Sequence, residues 1–317
     1  MTEFYHEPVL LEEILELLAP RDVKCLTIDA NTGEGGHSYN YLLKYPNVNM
    51  VCIDRDNEIL SIAKKRLYQF EDRIYFHNGW SSDFFADYPS NLDKPDNILI
   101  DSGISSYHYK KSGGGFTFEK EEFLDMRLDK SAGQTAADLL AKLPERELAD
   151  LFYNNAGERY SRRIAALVVQ ERVKAKITTT TAFAELVKKA VPASYRHGPI
   201  HPATRAFQGL RIAVNRELER LPKLLEAALY ILKPRGRLGV ISFHSSEDRI
   251  VKNYFRLMNK DCTCSAQTPI CKCERCRSVN ILTKKGITPG EIEIERNPPS
   301  RSARLRVVEK IENEDSL

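Results

Sequence analysis

The sequence lacks the features that would place the chain in a membrane or outside the cell. No apolar run approaches the ~20 residues that a membrane helix needs. The segment Met1–Leu10 does not have the basic-then-apolar order of a secretion signal. The seven cysteines are an odd number, which argues against a complete disulfide framework. These absences, together with an ordinary share of apolar and charged residues, predict a cytoplasmic protein that does not contact a membrane.

Charge is distributed unevenly along the chain, although the net charge is only +3. Residues 155–216 contain twelve Lys or Arg and three acidic residues, so this stretch carries +9 and the remainder about −6. Such a localised basic stretch indicates contact with a polyanion. A solvated helical face would have the same composition, so charge alone leaves both interpretations open. If the partner is a nucleic acid, we expect phosphate contacts among Arg159, Arg162, Arg163, Arg205 and Arg211.

Alternating strand and helix patterns predict the fold class. Short apolar runs separated by helical segments indicate strands at 24–29, 48–53, 74–77 and 98–100. This alternation is typical of a parallel, doubly wound sheet. Helical segments without strand signals follow, and α/β character returns from about residue 221. The sequence therefore predicts an α/β protein with a Rossmann-like core of residues 1–109 and 210–317, interrupted by a helical insert over 110–209 that holds most of the basic stretch.

A glycine-rich loop, Asn31–Gly36, lies between the first predicted strand and the next helix. Glycine lets the backbone approach a ligand closely, and a helix N-terminus offers unpaired N–H groups. Asp54 closes the second strand 21 residues after Gly33, where a carboxylate can accept both ribose hydroxyl protons. A tight turn followed by a helix-capping aspartate would give the same pattern, so a structural interpretation stays open.

The spacing of the glycines bears on the identity of the ligand. Nicotinamide dinucleotides are bound by G-x-G-x-x-G, whereas this loop has G-x-G-G, with Ser38 at the place of the third glycine. The neighbouring acids Asp29 and Glu34 suit a cationic ligand better than a pyrophosphate. The loop therefore gives a modest preference for S-adenosyl-methionine, which carries a sulfonium cation, over a dinucleotide.

Two further strand ends carry polar residues. Asp101 follows the fourth predicted strand in the segment Ile98–Ser106, and the late segment Ile241–Asp248 contains Phe243 and His244. In a doubly wound sheet these ends would lie beside the ligand, where an aromatic ring can stack on a base and a histidine can hydrogen-bond it. A simple Asp-Ser-Gly turn and a structural Phe-His pair are the alternatives.

Several longer motifs carry a resemblance to a known family. The chain resembles the bacterial 16S ribosomal RNA cytosine-N4 methyltransferases over nearly its whole length, from His6–Leu11 to Arg301–Arg306. The most specific matches between these ends are Gly35–His37, Ile53–Asp56, Leu124–Arg127, His201–Arg205, Phe207–Ile212, Ile241–His244 and Glu247–Arg249.

The resemblance implies a Rossmann methyltransferase core with an inserted substrate-recognition domain. It implies methyl transfer from S-adenosyl-methionine to the N4 amine of a cytidine in the decoding region of 16S ribosomal RNA, with the small ribosomal subunit as partner. Asp101 is the best candidate for a catalytic residue near the reacting centre, and no metal is needed for this step. The oligomeric state stays open between a monomer and a homodimer. The cofactor contacts carried over from the family are Gly35, Gly36, His37, Asp54, Trp80, Asp101 and His108.

This chain departs from the family pattern at some of these positions. The family usually has Phe where Trp80 stands and Gln where His108 stands. Other departures are Asn31-Thr32, Ser102, Gly114 and Pro299, and none of them removes the Gly-Gly-His loop, Asp54 or Asp101. Two other functions remain as alternatives: a nicotinamide-dependent oxidoreductase, and a non-catalytic RNA-binding or assembly protein with a degenerate pocket.

The other five cysteines form a cluster between residues 262 and 276. Four thiolates can make a closed, tetrahedral zinc site of the structural type. The predicted ligands are Cys262, Cys264, Cys271 and Cys273, with Cys276 spare. A loop of reduced thiols is an equal alternative, because this spacing is not the usual Cys-x-x-Cys.

Overall fold

The computed structural model describes residues 7–198, 200–262, 264 and 276–312. The chain divides into two compact units. We call Met1–Ile104 with Arg220–Leu317 the core unit, and Ser105–Glu219 the helical unit. The helical unit contains the whole of the predicted insert, residues 110–209, and extends beyond it at both ends.

A seven-stranded sheet forms the centre of the core unit. Its strands are β1 (Cys25–Asp29), β2 (Val48–Asp54), β3 (Ile74–Asn78), β4 (Asn97–Asp101), β5 (Arg237–Ser242), β6 (Val279–Ile281) and β7 (Arg304–Lys310). The spatial order is β3-β2-β1-β4-β5-β7-β6, and β7 runs antiparallel to both of its neighbours. The pairs from β3 to β5 are all parallel. The predicted Rossmann-like α/β fold is confirmed, and its topological switch point lies between β1 and β4.

Fourteen α-helices occur in the described residues. In chain order they are α1 (Leu11–Leu17), α2 (Gly36–Lys44), α3 (Asn57–Arg66), α4 (Ser81–Ala86), α5 (Ser106–Lys110), α6 (Ala136–Lys142), α7 (Glu145–Ala156), α8 (Ser161–Arg172), α9 (Thr180–Ala190), α10 (Ala193–Arg196), α11 (Thr204–Asn215), α12 (Glu217–Ile231), α13 (Ser245–Met258) and α14 (Glu291–Arg296). Within the described residues, no helix has the length and apolarity that crossing a bilayer requires.

The two faces of the sheet bury separate apolar clusters. Alternate residues of β4 point to opposite faces: Ile98 and Ile100 belong to one cluster and Leu99 to the other. The first cluster includes Phe85 of α4 and Leu225 of α12, whereas the second takes its helical residues from α1, α2 and α3. Because both faces are covered, the central strands are largely apolar, and the acidic residues stand at the strand ends.

Basic side chains hold the C-terminal ends of two helices against the sheet. Lys310 of β7 donates from Nζ to the last carbonyl oxygens of α12, and burial lowers the pKa of this ammonium. The guanidinium of Arg73 acts in the same way at the end of α2, donating to the carbonyl oxygens of Leu42, Tyr45, Pro46 and Val48. These contacts satisfy carbonyl groups that a helix end leaves unpaired, and they complement its dipole.

The helical unit has its own apolar core. The ring of Phe183 in α9 lies 6.1 Å from that of Phe152 and 5.3 Å from that of Phe207. Asn215, the last residue of α11, has a buried amide that accepts from the Leu128 N–H and donates to the Met126 carbonyl. The amide therefore fixes the loop that precedes α6 to the end of α11.

Candidate functional site

Three carboxylates lie at the ends of three adjacent parallel strands. Asp29 is the last residue of β1, Asp54 of β2 and Asp101 of β4. Because the carboxyl ends of parallel strands meet at one edge of the sheet, the topology brings these acids to the same edge. This is the edge at which the sequence predicted a ligand.

The glycine-rich loop is fastened to β2 by its own backbone. The Thr32 N–H donates to the Ile53 carbonyl at 2.9 Å, and Gly33 and Gly35 have φ of +54° and +76°. Residues that carry a side chain rarely adopt a positive φ, which explains why glycine stands at both positions. A β-carbon at Gly35 would also lie 3.1 Å from the side chain of Leu67, whereas no atom stands within 4 Å of one built at Gly33. The loop is therefore closed toward the protein at Gly35 and open at Gly33.

Asp54 organises this loop through both of its carboxylate oxygens. Oδ2 accepts from the Gly33 N–H and Oδ1 from the Asp56 N–H, both at 2.9 Å. A carboxylate has about four lone-pair positions. Asp54 can therefore hold the loop and still accept hydrogen bonds from a ligand's hydroxyl groups.

Asp29 is the most deeply buried of the three acids. Its side chain accepts from Ser38 Oγ through Oδ2 at 2.6 Å, whereas the buried Oδ1 has no hydrogen-bond partner among the described residues. Burial raises the pKa of Asp29 to about 6, and the neighbouring His37 and Ser38 act in the opposite direction. An orphaned acceptor at this place is unusual, because buried polar groups are normally paired.

His37 and Asp101 form the buried centre of the site. The imidazole Nε2 lies 2.9 Å from the Val9 carbonyl oxygen, and Nδ1 lies 3.6 Å from Asp101 Oδ2. Both side chains are largely removed from solvent. Burial lowers the pKa of His37, although the charge of Asp29 raises it in part. The imidazole is therefore held neutral between two acids.

Asp101 is placed by the turn that follows β4. Its Oδ1 accepts from the Gly103 N–H at 3.0 Å. A β-carbon at Gly103 would stand 2.7 Å from the ring of Phe243, so the ring of Phe243 requires a glycine here. Glu247 in turn fixes Phe243, because its buried carboxylate accepts from the Phe243 N–H at 2.9 Å. The aromatic ring therefore sits directly beside the turn that carries Asp101.

Trp80, at the start of α4, is in contact with two arginines. The guanidinium carbon of Arg220 lies 4.0 Å from the ring centroid, and that of Arg55 lies 4.5 Å from it. Arg220 also donates to Ser82 Oγ at 3.3 Å and forms an ion pair with Asp83 at 3.5 Å. Cation–π contacts of this kind hold a tryptophan at about 0.5–2 kcal/mol each. The indole is thus supported from both the β2 end and α12.

The donor set fits S-adenosyl-methionine. A ligand with a cationic sulfonium and a free amine favours carboxylates such as Asp29 and Asp54. The unpartnered oxygen of Asp29 is the observation that specifically supports this fit. Glu34, which the sequence suggested as a further acid for the cation, is fully buried, and its charge acts on Arg66 of α3. Glu34 therefore already lies near a cation of this chain.

The comparisons with known proteins decide the family. A family model described as the MraW methylase family matches residues 3–311. The chain belongs to this family. Three similar relatives, each called ribosomal RNA small subunit methyltransferase H, come from Treponema denticola, Treponema pallidum and Citrifermentans bemidjiense. They are 51%, 43% and 41% identical, over 98%, 96% and 98% of this chain and 99%, 92% and 100% of the relative.

Membership in the MraW methylase family confirms the resemblance found in the sequence. Six of the seven cofactor residues predicted from that resemblance lie in the core unit, at the ends of β2 and β4 and at the starts of α2 and α4. The seventh, His108, belongs to the helical unit, where its buried ring lies 5.2 Å from that of Phe116. The contacts of these residues with a cofactor stay predictions.

The five arginines predicted to contact phosphate differ in their surroundings. Arg211 is half-buried and forms a two-bond pair with Glu217, at 2.9 and 3.1 Å. This pair lies within the helical unit and holds the end of α11, so Arg211 has a structural role there. The other four are exposed, namely Arg159, Arg162, Arg163 and Arg205.

The predicted zinc site falls largely outside the described residues. Cys271 and Cys273 lie outside them, whereas Cys262 and Cys276 are exposed thiols and Cys264 is half-buried. The zinc prediction therefore stays a prediction.

Two contributors to the site were not predicted from the sequence. The orphaned oxygen of Asp29 and the contact of Arg220 with Trp80 depend on side-chain packing between distant segments. Glu247 had a detectable signal, since it stands three residues after His244 and forms a capping box at the start of α13.

Proposed function

We propose that this member of the MraW methylase family transfers a methyl group from S-adenosyl-methionine to the N4 amine of a cytidine in 16S ribosomal RNA. The observation that carries the proposal is the edge at which Asp29, Asp54 and Asp101 end adjacent strands around an open glycine loop. The printed names of the relatives, which state a ribosomal RNA small subunit methyltransferase, support the choice of substrate.

The residues of the site have distinct roles in this proposal. Asp54 accepts hydrogen bonds from the ribose hydroxyl groups while it holds Gly33, and Trp80 provides a flat surface for the adenine. When bound, S-adenosyl-methionine supplies a strongly activated methyl group on a cationic sulfur. Asp29 lies buried at the end of β1, where its negative charge favours a cation over a phosphate.

The cytosine amine is a weak nucleophile, because its lone pair is delocalised into the ring. A carboxylate that accepts an amine hydrogen helps to localise this lone pair, and it can take the proton that the amine must lose. We assign this role to Asp101, the acid at the end of β4. Phe243, beside Gly103, is placed to stack on a base that has left its RNA stack, which offsets part of the few kcal/mol that extrusion costs.

The folded small subunit is the proposed substrate, and the cytoplasm the proposed location. A helical unit of over a hundred residues is larger than recognition of a free nucleotide requires, and RNA is recognised largely through shape and splayed bases. We expect methylation of the assembled particle and little of the naked transcript. Zinc on the cysteine cluster belongs to the same proposal, and metal analysis of protein purified without chelator tests it. Zinc well below one ion per chain in every preparation would contradict it.

The test of the reaction uses a labelled methyl donor. Small subunits from a strain that lacks this enzyme are incubated with the protein, and the labelled nucleoside is identified after digestion. Label on cytidine N4 is expected. Asp101→Asn should reduce labelling by about a hundredfold or more while binding of S-adenosyl-homocysteine is retained. Label on the ring carbon, on the ribose or on another base would contradict the proposed reaction.

A further inference from the structure

A cluster of arginines and tyrosines lies where α7 passes into α8 in the helical unit. We define this arginine–tyrosine cluster as Arg159, Tyr160, Arg163, Tyr195 and Arg205. The guanidinium carbon of Arg159 lies 4.9 Å from the ring centroid of Tyr195 and 5.5 Å from that of Tyr160. That of Arg163 lies 6.0 Å from Tyr160. The three arginines are exposed, and both tyrosines are half-buried.

A buried acid positions the two tyrosines. Glu158 is 0% exposed, and its carboxylate accepts from the Tyr195 hydroxyl at 3.0 Å and from the Tyr160 N–H at 2.8 Å. Burying a carboxylate is costly unless hydrogen bonds satisfy it, so these contacts are fixed features of the fold. The rings pack edge to face at 4.9 Å. Glu158 thereby holds the two tyrosine rings in fixed positions against the arginines.

The bend before α8 brings a further arginine to the same place. Gly157 ends α7 with φ of +63°, and its carbonyl accepts from Arg205 Nη1 at 3.4 Å. The positive charges of Arg205 and Arg159 both act on the Tyr195 hydroxyl. Cations from the α7–α8 bend, α8 and α11 therefore converge on one surface.

These arginines differ from the other basic residues of the stretch. Within the part of the chain that the structure describes, no carboxylate oxygen lies within 4.0 Å of the guanidinium of Arg159, Arg163 or Arg205, or of the adjacent Arg162. Five of the other eight cations of the stretch are engaged by carboxylates or carbonyl groups. Arg172 caps α6, Lys174 pairs with Glu171, Lys188 with Glu185, Arg196 with the Val191 carbonyl and Arg211 with Glu217.

A guanidinium that lies against a ring uses its face and keeps the N–H groups at its edge for other partners. Those groups match the paired oxygens of a phosphate, and holding them in advance reduces the entropy lost on binding. We infer that the arginine–tyrosine cluster, with Arg162 beside it, is a preorganised binding surface for the RNA phosphate backbone. The inference rests on the proposed function, since an RNA substrate is what makes phosphate the expected partner.

The test measures binding of the full-length protein to small ribosomal subunits at a series of salt concentrations. Each phosphate contact contributes about 0.7–0.9 to the slope of log affinity against log salt. The double variant Arg159→Ala with Arg163→Ala should lower affinity by at least about tenfold and reduce the slope by about 1.5. Its affinity for S-adenosyl-homocysteine should be unchanged. Lys189→Ala, an exposed cation on α9, is the control, and its slope should equal that of the wild type.

A second pair of variants keeps the test decisive if the double variant does not fold. Arg162→Glu and Lys189→Glu change the charge equally at exposed helical positions, and neither side chain has a hydrogen bond or ion pair within the described residues. Only Arg162→Glu should weaken particle binding. Equal effects of the two would overturn the inference, because they would indicate general attraction rather than a defined surface.

Two further outcomes separate this inference from the proposed function. If the variants bind and methylate subunits like the wild type, the surface is wrong and the proposed reaction stands. If binding depends on the cluster but no cytidine is labelled, the reaction is wrong and the surface stands. Polyglutamate that displaces the protein as well as a 16S RNA fragment of matched charge would assign the surface to an acidic protein, and would overturn the inference.

Discussion

His37 Nδ1 and Asp101 Oδ2 lie 3.6 Å apart in a buried pair, and the other side of the imidazole decides the state of that pair. A carbonyl oxygen only accepts, so His37 Nε2, at 2.9 Å from the Val9 carbonyl, carries the proton. In the neutral ring, Nδ1 then presents a bare lone pair to Asp101. Once Asp101 has taken up a proton, His37 Nδ1 is therefore the next group that can accept it.

This relationship predicts that His37 supports turnover through Asp101. His37→Gln can still donate to the Val9 carbonyl but offers no basic nitrogen. We expect kcat to fall by about ten- to a hundredfold, at the lower end of what proton-transfer groups contribute. Burial lowers the pKa of His37, so we expect wild-type activity to fall on acidification only below about pH 6.5, where Nδ1 becomes protonated, and the variant should lack this fall. Rates measured between pH 5 and 8 with saturating cofactor check this, and a profile equal to that of the wild type would refute it.

The raised pKa of Asp29 predicts an unusual dependence of the free energy of unfolding on pH. Its pKa is about 6 in the folded protein, above the ordinary value of 3.8, because burial disfavours the charged carboxylate. The folded state therefore holds this proton more tightly than the unfolded state does. The stability that Asp29 contributes is fully present below its unfolded pKa and is lost as the pH rises toward 6.

Asp29→Asn should abolish that loss. The free energy of unfolding of the variant minus that of the wild type should increase by on the order of 2–3 kcal/mol from pH 4 to pH 7, since each pKa unit corresponds to about 1.4 kcal/mol. Urea denaturation at both pH values measures the difference. Asn keeps an oxygen for the Ser38 hydroxyl, so this hydrogen bond is not the variable. A constant difference across the range would mean that Asp29 does not titrate as proposed.

How far the sequence predicts the site is clear from these residues. The doubly wound sheet was predictable because buried parallel strands are recognisable as apolar runs, and the acids that end β1, β2 and β4 followed from it. The local pattern also located Gly33 and Asp54. The unpaired oxygen of Asp29 was not predictable, because satisfaction of a buried atom depends on three-dimensional packing that no local pattern encodes.

The short elements show the same limit. Strand β6 has only three residues, and α1 lies in a segment without a clear apolar period at its start. The left-handed Leu10 before α1 is held by a hydrogen bond from its N–H to Glu293, a residue from the far end of the chain. Such tertiary contacts override local preference, so the sequence alone does not reveal them.

Trp80 offers a direct test of the predicted cofactor site. It is the only tryptophan in the chain, so its fluorescence reports this place alone. Binding of S-adenosyl-homocysteine should change its emission. Arg220→Ala removes the guanidinium that lies 4.0 Å from the ring. Loss of one cation–π contact should increase quenching by acrylamide and lower ligand affinity about two- to fivefold.

The control for Arg220 is Lys223→Ala. Lys223 is an exposed cation on the same helix, one turn further along, so its loss changes the charge equally but leaves the indole in place. Its quenching and affinity should equal those of the wild type. Emission that is insensitive to saturating ligand would remove Trp80 from the cofactor site.

Asp54, the last residue of β2, and Asp56, two residues further on, have different roles. Asp54 holds the loop at Gly33, whereas Asp56 caps α3 by accepting from the Glu58 N–H at 2.8 Å. Asn is as good a helix cap as Asp, so Asp56→Asn should leave both stability and ligand affinity nearly unchanged. Asp54→Asn is a different case. One of the two oxygens becomes an amide that cannot accept, so either the Gly33 N–H or the Asp56 N–H loses its partner, and the ribose loses a charged acceptor.

Hydrogen bonds to charged groups contribute about 1.5–3 kcal/mol, which corresponds to an affinity lower by about ten- to a hundredfold. Calorimetric titration with S-adenosyl-homocysteine measures this loss without turnover, because that ligand keeps the ribose and lacks the transferable methyl group. Thermal unfolding of the same samples shows whether each variant is folded. Two results would contradict a contact between Asp54 and the ribose: wild-type affinity of folded Asp54→Asn, or an equal loss of affinity in Asp56→Asn. Asp54 would then order the loop without contacting the ligand, and another residue at this edge of the sheet would hold the ribose.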